Sequence, residues 1–325
     1  MRRILLVLLS AIMPLLTSVS LATENDVVYD HNVRETIALI CNEYFLDVDV
    51  PSLEMRCIEA VQTSQPAQSP VDSCIARMIE SLDGSYFDSE VKSEKNKDGK
   101  EHPPLVSARL FNAEIGYIRI RQFPEKTKEL IKKEIAGMLA TPQPLIGLII
   151  DLRDNPGGSL GDSIQAAELF LPPDAVVSEL KSRKKSSQRT FKVPSNKCSE
   201  NKETEDILKT TPLAVLVNAG TSGGAELVAA ALRDNHRAKV VGTATAQKGA
   251  IKAFFFLKNK RAILLPIGYL VAPNGQPIAE HGVTIDTEVT SNNPPPIISH
   301  ELEEDIVVVT AFFELKSQVI TSIED

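Results

Sequence analysis

Two apolar runs, Leu145 to Leu152 and Leu213 to Val217, each break into small turn-forming residues and then resume with helical spacing. The first passes through Asn155-Pro156-Gly157-Gly158 into Leu160 to Phe170, the second through Ala219 to Gly224 into Ala225 to Asp234. A strand that is apolar at nearly every position must be covered on both faces, and a helix that follows it supplies one cover. Ile115 to Ile120 ahead of the amphipathic stretch Lys126 to Leu139, and Lys239 to Gly242 after the second helix, extend the alternation. Successive βαβ units predict an α/β fold with parallel strands and right-handed crossovers. In such a sheet the loops leaving the carboxyl ends of the strands share one edge, where sites form.

The remainder of the 325 residues divides around this core, a length that suits about two domains. Residues 23–87 read as a small helical domain, with apolar spacing in Asp30 to Phe45, Pro51 to Val61 and Val71 to Leu82. Residues 88–104 are charged, end in Pro103-Pro104 and read as a solvated linker. The core is expected over 105–290. Residues 291–325 form a C-terminal extension that opens on a Pro-rich stretch and closes on Leu302 to Leu315, apolar enough for a helix or a strand. Lys181, Arg183, Lys184, Lys185 and Arg189 lie between period-2 flanks and predict an exposed hairpin tip.

Hydrophobic residues make up 43% of the chain, with Gly at 16 and Pro at 20, which excludes disordered and collagen-like classes. The formal charge of −8 argues against general nucleic-acid binding, because neutralising phosphates needs clustered cations. Residues 1–22 read as a secretory signal: Arg2 and Arg3, an apolar run Ile4 to Leu16, and Ser20-Leu21-Ala22 before a cleavage point. The run is shorter than the ~20 residues that span a bilayer. Export to a periplasmic or other extracytoplasmic compartment is therefore expected, and peripheral membrane association is compatible with it. In such a compartment Cys41, Cys57, Cys74 and Cys198 either include a local disulfide within the helical part or remain buried thiols. The cysteines and the five histidines show no metal-ligand spacing, so neither a metal nor a cofactor is expected.

Small-residue turns between a buried strand and a helix present main-chain N–H groups at a helix N-terminus, where an anion or a developing oxyanion is favoured. Two such turns on one sheet edge supply the paired donors that acyl transfer requires. Neither turn matches a Walker A or dinucleotide fingerprint, which disfavours nucleotide.

Leu148-Ile149-Ile150-Asp151-Leu152-Arg153-Asp154-Asn155-Pro156-Gly157-Gly158 resembles the D-L-R-x-N-P-G-G signature of the C-terminal processing, or tail-specific, peptidases. Val217-Asn218-Ala219-Gly220 leading into Ala225-Glu226-Leu227, then Val240 to Thr243 and Lys248-Gly249, resembles their catalytic segment. Tyr269 to Ile278 with Gly282-Val283 and Asp286 resembles their closing block. The resemblance implies a crotonase-like β/α core, a polypeptide substrate or peptide ligand, and a Ser/Lys dyad with Lys248 as general base. It further implies oxyanion donors from Gly157, Gly158 and Gly224. It leaves the oligomeric state open.

Three departures stand out. Thr221-Ser222-Gly223-Gly224-Ala225-Glu226 places Gly223 at the nucleophile position, three residues before the Glu. Glycine has no attacking atom, and loss of a serine hydrolase's serine costs on the order of 10⁶ in turnover. Lys252 stands at the family's Gln position, and a like charge beside Lys248 depresses both ammonium pKa values if the two approach. Finally, the stretch between Ser81 and Ile115 is too short for the roughly 80 to 100 residues of a PDZ module. Three readings follow: a non-proteolytic relative that retains a peptide cleft, an endopeptidase of envelope proteins using Ser222 with Lys248, or a carrier of an apolar ligand.

Overall fold

The computed structural model describes residues 27–63, 69–82, 85–88, 104–139, 145–195, 202–258, 261–290 and 302–324. Residues 1–22, expected to be a secretory signal, most of the charged stretch 88–104 and Cys198 lie outside them. The chain forms two compact units, one drawing on Met1–Asn42, Asp47–Val91 and Phe254–Leu264 and the other on Glu43–Leu46, Lys92–Ala253 and Leu265–Asp325.

The first unit contains the N-terminal helices α1 (His31–Glu43, but for its last residue), α2 (Val50–Thr63) and α3 (Pro70–Glu80). Helix α3 starts where Ser69 accepts the N–H of Asp72 and Pro70 opens the first turn, a pairing that satisfies one orphan donor where the proline has none to satisfy. Its apolar stripe of Cys74, Ile75, Met78 and Ile79 is buried, as are Leu53, Cys57 and Ala60 of α2. A disulfide joins Cys57 to Cys74, which resolves the cysteine alternatives for this pair in favour of a local bridge. Strand β1 (Tyr86–Asp88) pairs antiparallel with the start of β10 (Ala262–Val271), Tyr86 opposite Leu264.

The second unit is built on a six-stranded sheet of order β11-β8-β7-β4-β3-β2. Its strands are β2 (Val106–Phe111), β3 (Ile115–Ile120), β4 (Gly147–Asp151), β7 (Leu213–Val217), β8 (Lys239–Gly242) and β11 (Thr287–Glu288). Five of them run parallel; β2 is an antiparallel edge made by a hairpin with β3, which the alternation pattern did not anticipate. A second, antiparallel set of strands comprises β5 (Val176–Lys181), β6 (Arg189–Lys192) and the end of β10, with the first two forming the hairpin expected from the period-2 flanks. The basic stretch forms the β5–β6 hairpin, with Lys181 paired to Glu179 and Lys184 to Glu43.

Every residue of β3, β4 and β7 is buried, and alternate side chains serve two cores. Ile118, Ile120, Leu148, Ile150, Val215 and Val217 belong to the larger one, with helices α4 (Thr127–Leu139), α5 (Leu160–Ala167) and α7 (Gly224–Asp234). Ile115, Tyr117, Ile149, Ala214 and Leu216 face the other way and pack with Val307, Val308, Ala311, Phe312 and Leu315. Those last residues lie on α9 (Ile306–Glu324), so the C-terminal stretch is a helix that covers the sheet's second face. No helix among the described residues is long and apolar enough to cross a membrane.

Candidate active site

The site is assembled at the carboxyl ends of β4 and β7, adjacent parallel strands in which Asp151 stands opposite Leu216. Strand β4 ends on Asp151, whose fully buried carboxylate accepts the Tyr117 hydroxyl at 2.7 Å, Arg119 at 2.5 Å and the Arg153 guanidinium at 2.6 Å. Burial pushes the Asp151 pKa up, but the Arg153 and Arg119 guanidinium groups outweigh it and hold the value down at about 2. Arg153 also pairs with Asp305 at 2.8 Å, and Asp305 accepts the N–H of Val307 at the start of α9. A buried charge is tolerable only when paired and hydrogen-bonded, and this cluster anchors the chain just before the first turn.

That turn is shaped by Asn155, whose side chain donates to the carbonyl of Ile120 at 2.9 Å and accepts the N–H of Gly157 at 2.8 Å. Gly158 passes so close to Phe123 that a Cβ at this position would lie 2.3 Å from the Phe123 carbonyl oxygen. Only glycine fits there.

The second turn is stitched to the first. Asp154 and Asn218 exchange hydrogen bonds at 2.9 and 2.8 Å, and the N–H of Ser222 donates to the carbonyl of Asn155 at 2.9 Å. The contact is close enough that a Cβ on Gly157 would sit 3.0 Å from the Gly224 nitrogen. Gly157, Gly158 and Gly224 are thus brought to one place. The Gly157 N–H is taken by Asn155, whereas those of Gly158 and Gly224 have no partner among the described residues.

Thr221 is fully buried and its hydroxyl is spent, donating to Leu152 and accepting from Asn218. Ser222 is 7% exposed, and its main chain is held on both sides by Asn155 and Ala225. Gly223 follows with φ 57° and ψ −117°, a sharp strand-to-helix bend of the kind on which α/β-hydrolases mount a nucleophile. A Cβ at Gly223 would meet nothing nearer than 3.8 Å, the nearest atoms being the carbonyl oxygens of Lys248 and Pro156. Room for a side chain exists, and none is present.

The residue that ties this bend to the lysine position is Glu226. Fully buried, it accepts Thr245 Oγ1 at 2.6 Å and the Gln247 N–H at 2.7 Å on one oxygen, and the N–H groups of Gly223 and Lys248 at 2.9 Å on the other. Both oxygens are saturated. Its role was not assigned from sequence, although a Glu at the third helical position after a turn is the mark of a capping box.

Lys248 is exposed, and Lys252 lies on the exposed positions of β9 (Ala250–Phe256). No hydrogen bond or ion pair among the described residues engages either ammonium group, and Lys248 is tied to the site through its main-chain N–H on Glu226. Asp286, in the closing block, is structural: it accepts the Val240 N–H at 2.8 Å and pairs with Arg233 at 3.1 Å. Among the described residues no group of three or more His, Cys, Asp or Glu could hold a metal ion. A cavity of about 550 Å³, lined by Leu213, Arg233, Arg237, Lys239 and Asp286 among others, opens by the first residues of β7 and β8, at the opposite edge of the sheet.

The chain is 32% identical over 184 residues to a carboxy-terminal-processing protease of Bartonella bacilliformis, covering 56% of this chain and 40% of that protein. It is 33% identical over 187 residues to a carboxyl-terminal-processing protease of Synechocystis, covering 57% and 39%. The chain thus spans about two fifths of the length of these relatives. A solved lipoprotein from Streptococcus agalactiae shares the fold, with a TM-score of 0.61 at 18% identity over 88% of this chain and 95% of that one. The sequence profile of Peptidase family S41 matches residues 114–289, from the start of β3 through β11. That match covers more than half of the chain and both turns of the site, and the chain belongs to this peptidase family.

Proposed function

We propose that this protein binds polypeptide at the carboxyl edge of a crotonase-like core and does not hydrolyse it. The observation that carries this reading is Gly223, which keeps the bend of a nucleophile turn and offers no atom to attack with. The neighbouring hydroxyls do not replace it: Thr221 is committed to two hydrogen bonds and Ser222 is buried. What persists is binding equipment, the N–H groups of Gly158 and Gly224 beside the lysine position. Main-chain N–H groups without a partner are donors that a peptide carbonyl oxygen can satisfy.

Export to an extracytoplasmic compartment is part of the proposal. The N-terminal segment and the Cys57–Cys74 bridge both favour an oxidising destination, and a mature N-terminus at Thr23, read by mass spectrometry, tests it.

The activity test uses an unstructured polypeptide with the native protein and with Ser222→Ala, Lys248→Ala and Gly223→Ser. An inert native protein supports the proposal. Cleavage by the native protein that disappears in Ser222→Ala overturns it and establishes Ser222 as the nucleophile.

A further inference from the structure

Beyond Tyr117 the second face of the six-stranded sheet turns from apolar to basic. Side chains alternate along a strand, so Arg119 and Arg121 follow Ile115 and Tyr117 on the face covered by α9. On the edge strand β2, Ser107 stands opposite Arg119 and Arg109 opposite Tyr117. The Arg109 guanidinium lies 5.1 Å from the centroid of the Tyr117 ring.

Two features of this cluster call for an acceptor that the described residues do not supply. The first is hydrogen bonding. Arg119 is 3% exposed and gives one terminal nitrogen to Asp151, yet its Nε is buried without a partner, and so is the Nε of Arg121. Buried donors in native proteins are nearly always satisfied, and an orphan costs about 1–3 kcal/mol. The second feature is charge. Asp151 is filled by Arg119, Arg153 and Tyr117, and Asp305 by Arg153 and the N–H of Val307. Arg121 makes no side-chain hydrogen bond or ion pair among the described residues. Its burial and the guanidinium groups of Arg119 and Arg109 lower its pKa, as like charges do.

We infer that Arg119 and Arg121, with the Ser107 hydroxyl, form a binding site for a small tetrahedral oxyanion, phosphate or sulfate, at the edge of the sheet. Guanidinium groups match such an ion, which accepts several charge-assisted hydrogen bonds at once. The Ser107 hydroxyl engages nothing among the described residues and is a further donor beside Arg119. Arg121 is half-buried and admits the ion from solvent, while the burial of Arg119 restricts it to a small one. Occupancy bears on the first turn of the candidate active site. Ile120 and Phe123, on either side of Arg121, hold that turn through Asn155 and Gly157, so a bound ion braces the strand end on which the turn rests. The inference does not depend on whether the turn serves binding or hydrolysis.

The test follows the arginine Nε–H signals of the full protein, labelled with ¹⁵N-arginine, during titration with inorganic phosphate and with sulfate, sodium chloride holding the ionic strength constant. Saturable shifts at Arg119 and Arg121 are expected with both oxyanions and not with chloride. Arg121→Met is expected to abolish the response at Arg119. Arg121→Lys, which keeps the charge but loses the planar fork, is expected to weaken binding about tenfold, the worth of one charge-assisted hydrogen bond. Because Arg121→Met removes a like charge from beside Arg119, it is also expected to melt higher than the native protein in oxyanion-free buffer. It is expected to lose the rise in melting temperature that phosphate gives the native protein. A native protein without saturable shifts overturns the inference, water then being what satisfies the two donors. So does an equal response to chloride, or a response that survives Arg121→Met. Should either variant fail to fold, the native titration, read at Arg119 and Arg121 against the other arginines, decides.

Discussion

Glu226 accepts the main-chain N–H of Gly223 at 2.9 Å, reaching back one helical turn to the residue that bends the chain into α7. The same oxygen accepts the N–H of Lys248, 22 residues further along the chain, at 2.9 Å. One carboxylate therefore sets the spacing between the bend and the lysine segment, and its other oxygen is occupied by Thr245 and Gln247.

Glu226→Ala strands four donors in a buried place. With each unpaired group costing about 1–3 kcal/mol, a loss of more than about 3 kcal/mol is expected in urea denaturation. Glu226→Gln keeps the shape but has one acceptor oxygen and one amide donor. A smaller loss of about 1–3 kcal/mol is expected for it. A Glu226→Ala protein with native stability would contradict the assignment.

Gly223→Ser returns a hydroxyl to an open space but imposes φ near +57° on a residue with a Cβ. A cost of about 1–2 kcal/mol is expected from that conformation, visible as a lowered melting temperature. If the Lys248 ammonium reaches position 223, the variant gains hydrolysis of an unstructured polypeptide, and Lys248→Ala in the same background removes it.

The pairing of Asp151 with Arg153 and Arg119 makes the second unit sensitive to acid. The carboxyl titrates at about 2 in the folded protein against 3.8 ordinarily, so its contribution is fully present above about pH 4 and lost as pH falls through 2. A shift of that size corresponds to about 2–3 kcal/mol of stability. Denaturant midpoints measured from pH 5 to pH 2 are expected to fall in the native protein. Asp151→Asn, which leaves two buried guanidinium groups without their carboxylate, is expected to cost about 3–5 kcal/mol at neutral pH.

The Cys57–Cys74 bridge closes a loop with a sequence separation of 17. For a loop of this length the chain-entropy model gives about 3 kcal/mol. Dithiothreitol, or the Cys57→Ser/Cys74→Ser pair, is expected to lower the unfolding midpoint of the helical unit by a corresponding amount. A midpoint indifferent to reductant would show that the two sulfurs are not bonded in the protein as prepared.

Much of the architecture is legible in the sequence. The apolar runs ending at Leu152 and Val217 and the turns after them place β4, β7, α5 and α7, because strand burial and turn chemistry are written in consecutive residues. The order of the motifs points to the peptidase family, and the glycine at 223, three residues before Glu226, is read from the sequence alone. Less legible was the stretch from Leu302 onward. A segment apolar on most sides carries no clear period, and only packing against Ile115, Tyr117 and Leu216 shows it to be the helix covering the second face.

Tertiary structure alone settled which donors and hydroxyls of the site are spent and which are free. Gly157 and Gly158 are adjacent and chemically identical in sequence, yet Asn155 takes the N–H of the first and leaves that of the second. Thr221 is occupied by a carbonyl 69 residues away, and the lysine segment is held by a carboxylate that local pattern marks only as a helix cap. The sequence by itself determined that strands, turns and helices alternate and that position 223 bears no side chain, since these depend on residues close together in the chain. Which polar groups remain available to a ligand depends on partners dozens of residues apart, and only folding brings those within hydrogen-bonding distance.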